Sequence, residues 1–125
     1  MQQLYRTTVR EVGTEAADLI AQGILILFAV GAPPELAEVS VLHESVEEPR
    51  TAPVAGDQLA IGGEAFRITA VGATAWAKMR EIGHVVFSFT GAAEADRPGE
   101  ICVTPRPEMD LMRLLAPGAA IVISR

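Results

Sequence analysis

Leu59-Ala60-Ile61-Gly62-Gly63-Glu64-Ala65-Phe66-Arg67-Ile68-Thr69-Ala70-Val71 reads as two strands folded back on one another. The glycine pair between the two runs supplies the positive φ angles that a tight hairpin turn requires. The same texture continues on both sides. Gly and Pro punctuate the chain roughly every ten residues, the spacing of many short strands in a barrel or sandwich.

N-terminal to the hairpin, residues 4–12 alternate as a first strand and residues 14–22 look helical, with Thr14 as cap and Gly23 as a left-handed stop. Residues 24–30, Ile-Leu-Ile-Leu-Phe-Ala-Val, are apolar on both faces and predict a central strand. Gly31-Ala32-Pro33-Pro34 breaks it, and residues 35–38 allow one helical turn. Residues 39–45 alternate again, which places Val39, Val41 and His43 on one face and Ser40, Leu42 and Glu44 on the other. Residues 46–55, with two prolines and several charges, predict a loop.

C-terminal to the hairpin, Gly72 ends the second arm. Residues 74–82 predict a short amphipathic helix, striped by Ala75, Met79 and Ile82 and stopped by Gly83. Strands follow at residues 85–89, 100–104 and 119–124, with an acidic loop at 91–98. Residues 105–115 are ambiguous between loop and helix. The sum is an all-β or β-rich barrel of mixed topology, with about seven strands and two or three short helices.

The chain has 125 residues, half of them hydrophobic, and a formal net charge of −6. This suits one domain spanning 1–125 that buries its own core. The charge argues against a nucleic-acid partner, which would want clustered Lys and Arg, and leaves room for a basic protein partner. Cys102 is the only cysteine, so no internal disulfide forms. The N-terminus lacks a signal-peptide pattern, and the longest apolar run falls far short of the roughly 18 residues that span a bilayer. The expectation is a cytoplasmic protein that meets a membrane only through a partner.

Chemistry narrows to two histidines, His43 and His84. Their spacing is not that of a metal site, and Gly62-Gly63 and Gly72 lack the lysine and hydroxyl of a phosphate loop. Ser40, Ser45 and Ser88 have no nucleophile-elbow context. Trp76 reads as core or interface, and the Glu44, Glu47, Glu48 run as a solvated loop in which Glu44 could tune the imidazole. A neutral imidazole is an available nucleophile and can carry a phosphoryl group. On spacing alone, a buried structural histidine is the better reading of His43. Its place at a strand end beside a charged loop favours function. His84 follows a helix stop, where a cation is favoured by the dipole.

Tyr5-Arg6-Thr7-Thr8-Val9, Gly13, Phe28, Gly31-Ala32-Pro33, Leu36 and His43 form one ordered set. Ile68-Thr69-Ala70-Val71-Gly72, Arg80-Glu81-Ile82-Gly83-His84-Val85, Phe89-Thr90-Gly91, Pro98-Gly99 and Ala116-Pro117-Gly118 extend it over nearly the whole chain. The set resembles the glucitol/sorbitol-specific enzyme IIA component of the bacterial phosphoenolpyruvate-dependent sugar phosphotransferase system (PTS). The resemblance implies a small closed β-barrel of six to eight strands and no metal or organic cofactor. It implies that His43 is phosphorylated by the phosphocarrier HPr and passes the group to the IIB component, with the membrane IIC component coupling transfer to hexitol uptake. His84 is the candidate for a supporting or phosphate-contacting role.

The alternative is a β-barrel interaction module that has lost the relay. A solvent-open His43 would favour phosphotransfer, and a His43 packed away with both nitrogens satisfied would favour the module. Exposed strand edges at residues 24–30 or 119–124 would leave a homodimer open.

Overall fold

The computed structural model describes residues 2–45 and 51–125. Glu47 and Glu48, and the first half of the charged loop, lie outside the described residues. The strands are β1 (Gln3–Val12), β2 (Ile24–Ala29), β3 (Val41–Glu44), β4 (Gln58–Ile61), β5 (Glu64–Val71), β6 (Val85–Ser88), β7 (Glu100–Val103) and β8 (Ala120–Ser124). Four short helices interrupt them: α1 (Ala16–Ala21), α2 (Pro34–Ala37), α3 (Ala75–Ile82) and α4 (Leu111–Leu114). The extra helix over the expected two or three comes from single turns. One is α2, and the other is α4 in the ambiguous segment, where the Asp110 carboxylate accepts from the Arg113 N–H at 3.4 Å.

The strands close into a barrel in the order β1-β3-β2-β6-β7-β5-β4-β8. Six of the pairings are antiparallel. β2 with β3 and β6 with β7 are parallel, so the topology is mixed. The β4–β5 hairpin turns on Gly62 and Gly63, both at positive φ (56° and 88°), as the quoted sequence requires. Closure corrects one expectation. β2 lies between β3 and β6, and β8 between β4 and β1, so neither has the free edge that a strand-paired dimer would use.

Period-two alternation fills the barrel. Val9, Leu25, Leu27, Val41, Leu59, Ile61, Ile68, Phe87, Ile101, Ile121 and Ile123 are almost wholly buried. Each such side chain contributes roughly 1.5–3 kcal/mol relative to leaving it in water. The pairings Ala29 with His43 and Leu27 with Val85 place the C-terminal ends of β2 and β3 and the start of β6 at one mouth of the barrel. α3 closes that mouth with Ala75 and Met79 buried. Ile82, expected on the same stripe, is instead exposed. α1 and α4 pack together at the opposite mouth. Among the described residues, no helix is long and apolar enough to cross a membrane.

Candidate active site

His43 sits on β3 directly opposite Val9 of β1 and Ala29 of β2. Period-two geometry turns its ring inward with Val41, as the sequence predicts. The side chain is only 2% exposed. Two polar partners hold it. Nδ1 lies 2.6 Å from the Thr7 Oγ1, and Nε2 lies 2.6 Å from the Gly83 carbonyl oxygen. A carbonyl can only accept, so Nε2 carries the proton and donates it. The Thr7 hydroxyl then donates to Nδ1. The ring is thus bound as one neutral tautomer.

Burial holds the His43 pKa below its ordinary value, and the Gly83 carbonyl partly opposes this by favouring a protonated ring. The net direction keeps the imidazole neutral, the form with a lone pair to offer.

Gly83 is the C-cap of α3, in the left-handed region at φ 65°, ψ 20°. Only glycine takes that conformation freely. Space makes the same demand. A Cβ at Gly83 would stand 2.9 Å from the Ala29 Cβ and 3.1 Å from His43 Nε2. The helix stop legible in the sequence is therefore also the cover of the site. The helix end that was expected to favour a cation at His84 faces His43 instead.

His84 itself turns away. Its ring stacks on Phe28, centroids 4.8 Å apart, and Nδ1 donates to the Leu27 carbonyl at 3.1 Å. These partners belong to β2, so His84 anchors the chain next to Gly83 while its imidazole finds partners other than His43. Glu44 points outward and pairs with Arg10 across the β1–β3 ladder at 3.3 Å. That leaves Thr7 and Gly83, rather than Glu44, as the groups tuning the imidazole. The Ser45 hydroxyl donates to the Arg6 carbonyl at 2.7 Å.

Thr7 is the site residue that sequence reading missed. It is 1% exposed and lies on β1 between Tyr5 and Val9, both inward and apolar in bulk. A lone hydroxyl in such a register was a usable signal. Other reactive groups lie elsewhere. The Cys102 thiol is pushed up by burial and by the neighbouring Glu100, which makes it a poor nucleophile. Glu100 is held low chiefly by the Ser88 hydroxyl, which donates to it at 2.6 Å. A cleft of about 430 Å³ opens at the far mouth between α1, Phe66, Phe89 and α4.

The sequence profile of the PTS system glucitol/sorbitol-specific IIA component matches residues 4–120. The chain is similar to the PTS system glucitol/sorbitol-specific EIIA components of Shigella flexneri and Escherichia coli K12. It is 35% identical to each over 122 residues, covering 97% of this chain and 94% of theirs. The crystal structure of a PTS system IIA component from Enterococcus faecalis V583 has a similar fold, with a TM-score of 0.77 and 25% identity. That match covers 96% of this chain and 99% of the other.

Proposed function

We propose, from the premise that this chain belongs to the PTS glucitol/sorbitol-specific IIA component family, that His43 is a transient phosphoryl carrier. HPr is the donor, IIB the acceptor, and the membrane IIC component the transporter they serve. The protein works in the cytoplasm. The observation that carries this reading is the ring itself: a neutral imidazole at a barrel mouth, with Nε2 directed at the cover and Nδ1 at the interior.

Nε2 is the nitrogen nearer the outside, so it takes the phosphoryl group. With the ring proton moved to Nδ1, the Nε2 lone pair forms the new N–P bond as the donor's N–P bond breaks. The donor nitrogen keeps that electron pair and takes up a proton, while His43 yields its ring proton. Exchange between two phosphohistidines is close to thermoneutral, so the protein has mainly to position the groups and stabilise the transferring oxygens. The Gly83 carbonyl must first swing off Nε2. His84, held by Phe28 and Leu27, is the fixed neighbour against which that movement occurs.

Val30 and Ile82 stand exposed beside this mouth, and the Val30 N–H donates to the His43 carbonyl at 3.0 Å. They supply an apolar centre for a docking face, and the acidic chain suits a basic partner.

With both nitrogens satisfied, the ring meets the criterion set above for an interaction module. What shuts it is one backbone carbonyl on a helix cap, which supports reading the closed ring as the resting state of a carrier. Labelling separates the two. Incubated with phosphoenolpyruvate, enzyme I and HPr, the protein takes up an acid-labile phosphoryl group, and the His43→Ala variant takes up none. Equal labelling of that variant sinks the assignment.

A further inference from the structure

We infer that Thr7 is the positioning residue of His43: its buried hydroxyl holds Nδ1 in whichever tautomer the ring adopts, and so delivers Nε2 to the phosphoryl group. This rests on the reading of His43 as the carrier.

The resting tautomer cannot react. With its proton on Nε2 and donated to Gly83, the ring has its lone pair on Nδ1, facing the barrel interior. For Nε2 to attack, the proton must be on Nδ1. Any residue facing Nδ1 must therefore donate to it before the reaction and accept from it during the reaction. A hydroxyl does both, because it has one hydrogen and two lone pairs on a free rotor.

Once Thr7 Oγ1 accepts from Nδ1, its own hydrogen needs a new acceptor. Tyr5 provides one. It sits two residues along β1 on the same inward face, 4% exposed, and its phenol oxygen is an acceptor that the Thr7 hydroxyl can turn to once it no longer donates to Nδ1. The inward row Tyr5, Thr7, His43 thus sets two hydroxyls beside the imidazole, all three side chains buried from solvent. A buried nitrogen without such a partner is costly, and the cost differs between the two tautomers. In a Thr7→Val variant the Nε2 proton still finds Gly83, whereas a proton on Nδ1 meets a methyl group. The ring is then fixed in the unreactive form.

The test compares Thr7→Val, Thr7→Cys and Thr7→Ser, by labelling rate with saturating phospho-HPr and by the nitrogen chemical shifts of His43. Thr7→Val is expected to slow labelling about ten- to a hundredfold, the range for a misplaced reacting group. It should also move the Nδ1 resonance. Thr7→Ser, which restores the hydroxyl, should stay near the parent in both. Thr7→Cys, a weak donor of similar size, should move the Nδ1 resonance in the same direction, and it decides the matter if Thr7→Val does not fold. Labelling of Thr7→Val at the parent rate overturns the inference. So does an Nδ1 resonance unmoved in both Thr7→Val and Thr7→Cys, or a Thr7→Ser variant as slow as Thr7→Val. A parent protein that takes no label on His43 removes the carrier reading, and the positioning role with it. That failure is distinct, because the Nδ1 resonance still reports the hydrogen bond.

Discussion

His43 is buried in a form that resists protonation, and this ties the stability of the protein to pH. Its folded pKa lies below the ordinary 6.5. Above about 6.5 both folded and unfolded rings are neutral, and the contribution is fully present. As pH falls below that value, the unfolded ring takes a proton that the folded ring refuses, and stability is lost until the folded pKa is reached. Urea midpoints measured between pH 8 and 5 should therefore fall for the parent and run flatter for His43→Gln. Parallel curves would contradict the burial argument. The inward face of His43 was legible from its alternation with Val41. Its partners were not, because Thr7 and Gly83 lie 36 and 40 residues away along the chain. Glu44, the neighbour in sequence, was the natural choice for tuning the ring. Strand geometry sends it to the opposite face.

At the scale of elements, the α3 cap carries both the helix end and the site cover. Gly83→Ala must place a side chain in left-handed backbone, which costs roughly 1–2 kcal/mol. It must also push against Ala29 and the His43 ring. The expected result is a lower unfolding midpoint together with slower labelling of His43. Gly63→Ala is the matched control. Gly63 also has positive φ (88°), but a Cβ there meets nothing within 4 Å. It should cost only the backbone part, roughly 1–2 kcal/mol, and leave labelling unchanged. A Gly83→Ala variant that labels like Gly63→Ala would show that the cap does not cover the ring. Helix stops were readable at Gly23 and Gly83, since both take positive φ. The exposed Ile82 was misplaced because a stripe of three residues on an eight-residue helix leaves the last one beyond the surface that α3 covers.

Across the whole molecule, the β-rich content was legible from turn spacing, but closure was not. No local pattern says that β1 and β8 are neighbours, so turn spacing pointed to a barrel and its closure was expected from the family resemblance alone. Long-range side-chain pairs secure it. Arg125 grips Asp57 with Nε and an NH₂ nitrogen, each at 3.0 Å, and the Val54 N–H donates to the same carboxylate at 2.8 Å. The Arg125 hydrogen bonds hold the Asp57 carboxyl below its usual range. Its contribution is present above the unfolded carboxylate pKa of about 3.9 and is lost as pH falls through the lower folded value. Asp57→Asn should accordingly lower the unfolding midpoint at neutral pH, with the gap narrowing in acid; a pH-independent gap would place the effect in packing instead. The β1–β8 ladder also bears on how the chain is made. Thr7 and His43 can meet once β1 and β3 have been synthesised, yet β1 keeps one unpaired edge until residues 120–124 arrive to pair with it. Folding dominated by such sequence-distant pairing is slow, on the order of milliseconds to seconds. Until that pairing forms the barrel is open and β1 presents an edge, a window in which chaperone capture or misassembly competes with completion.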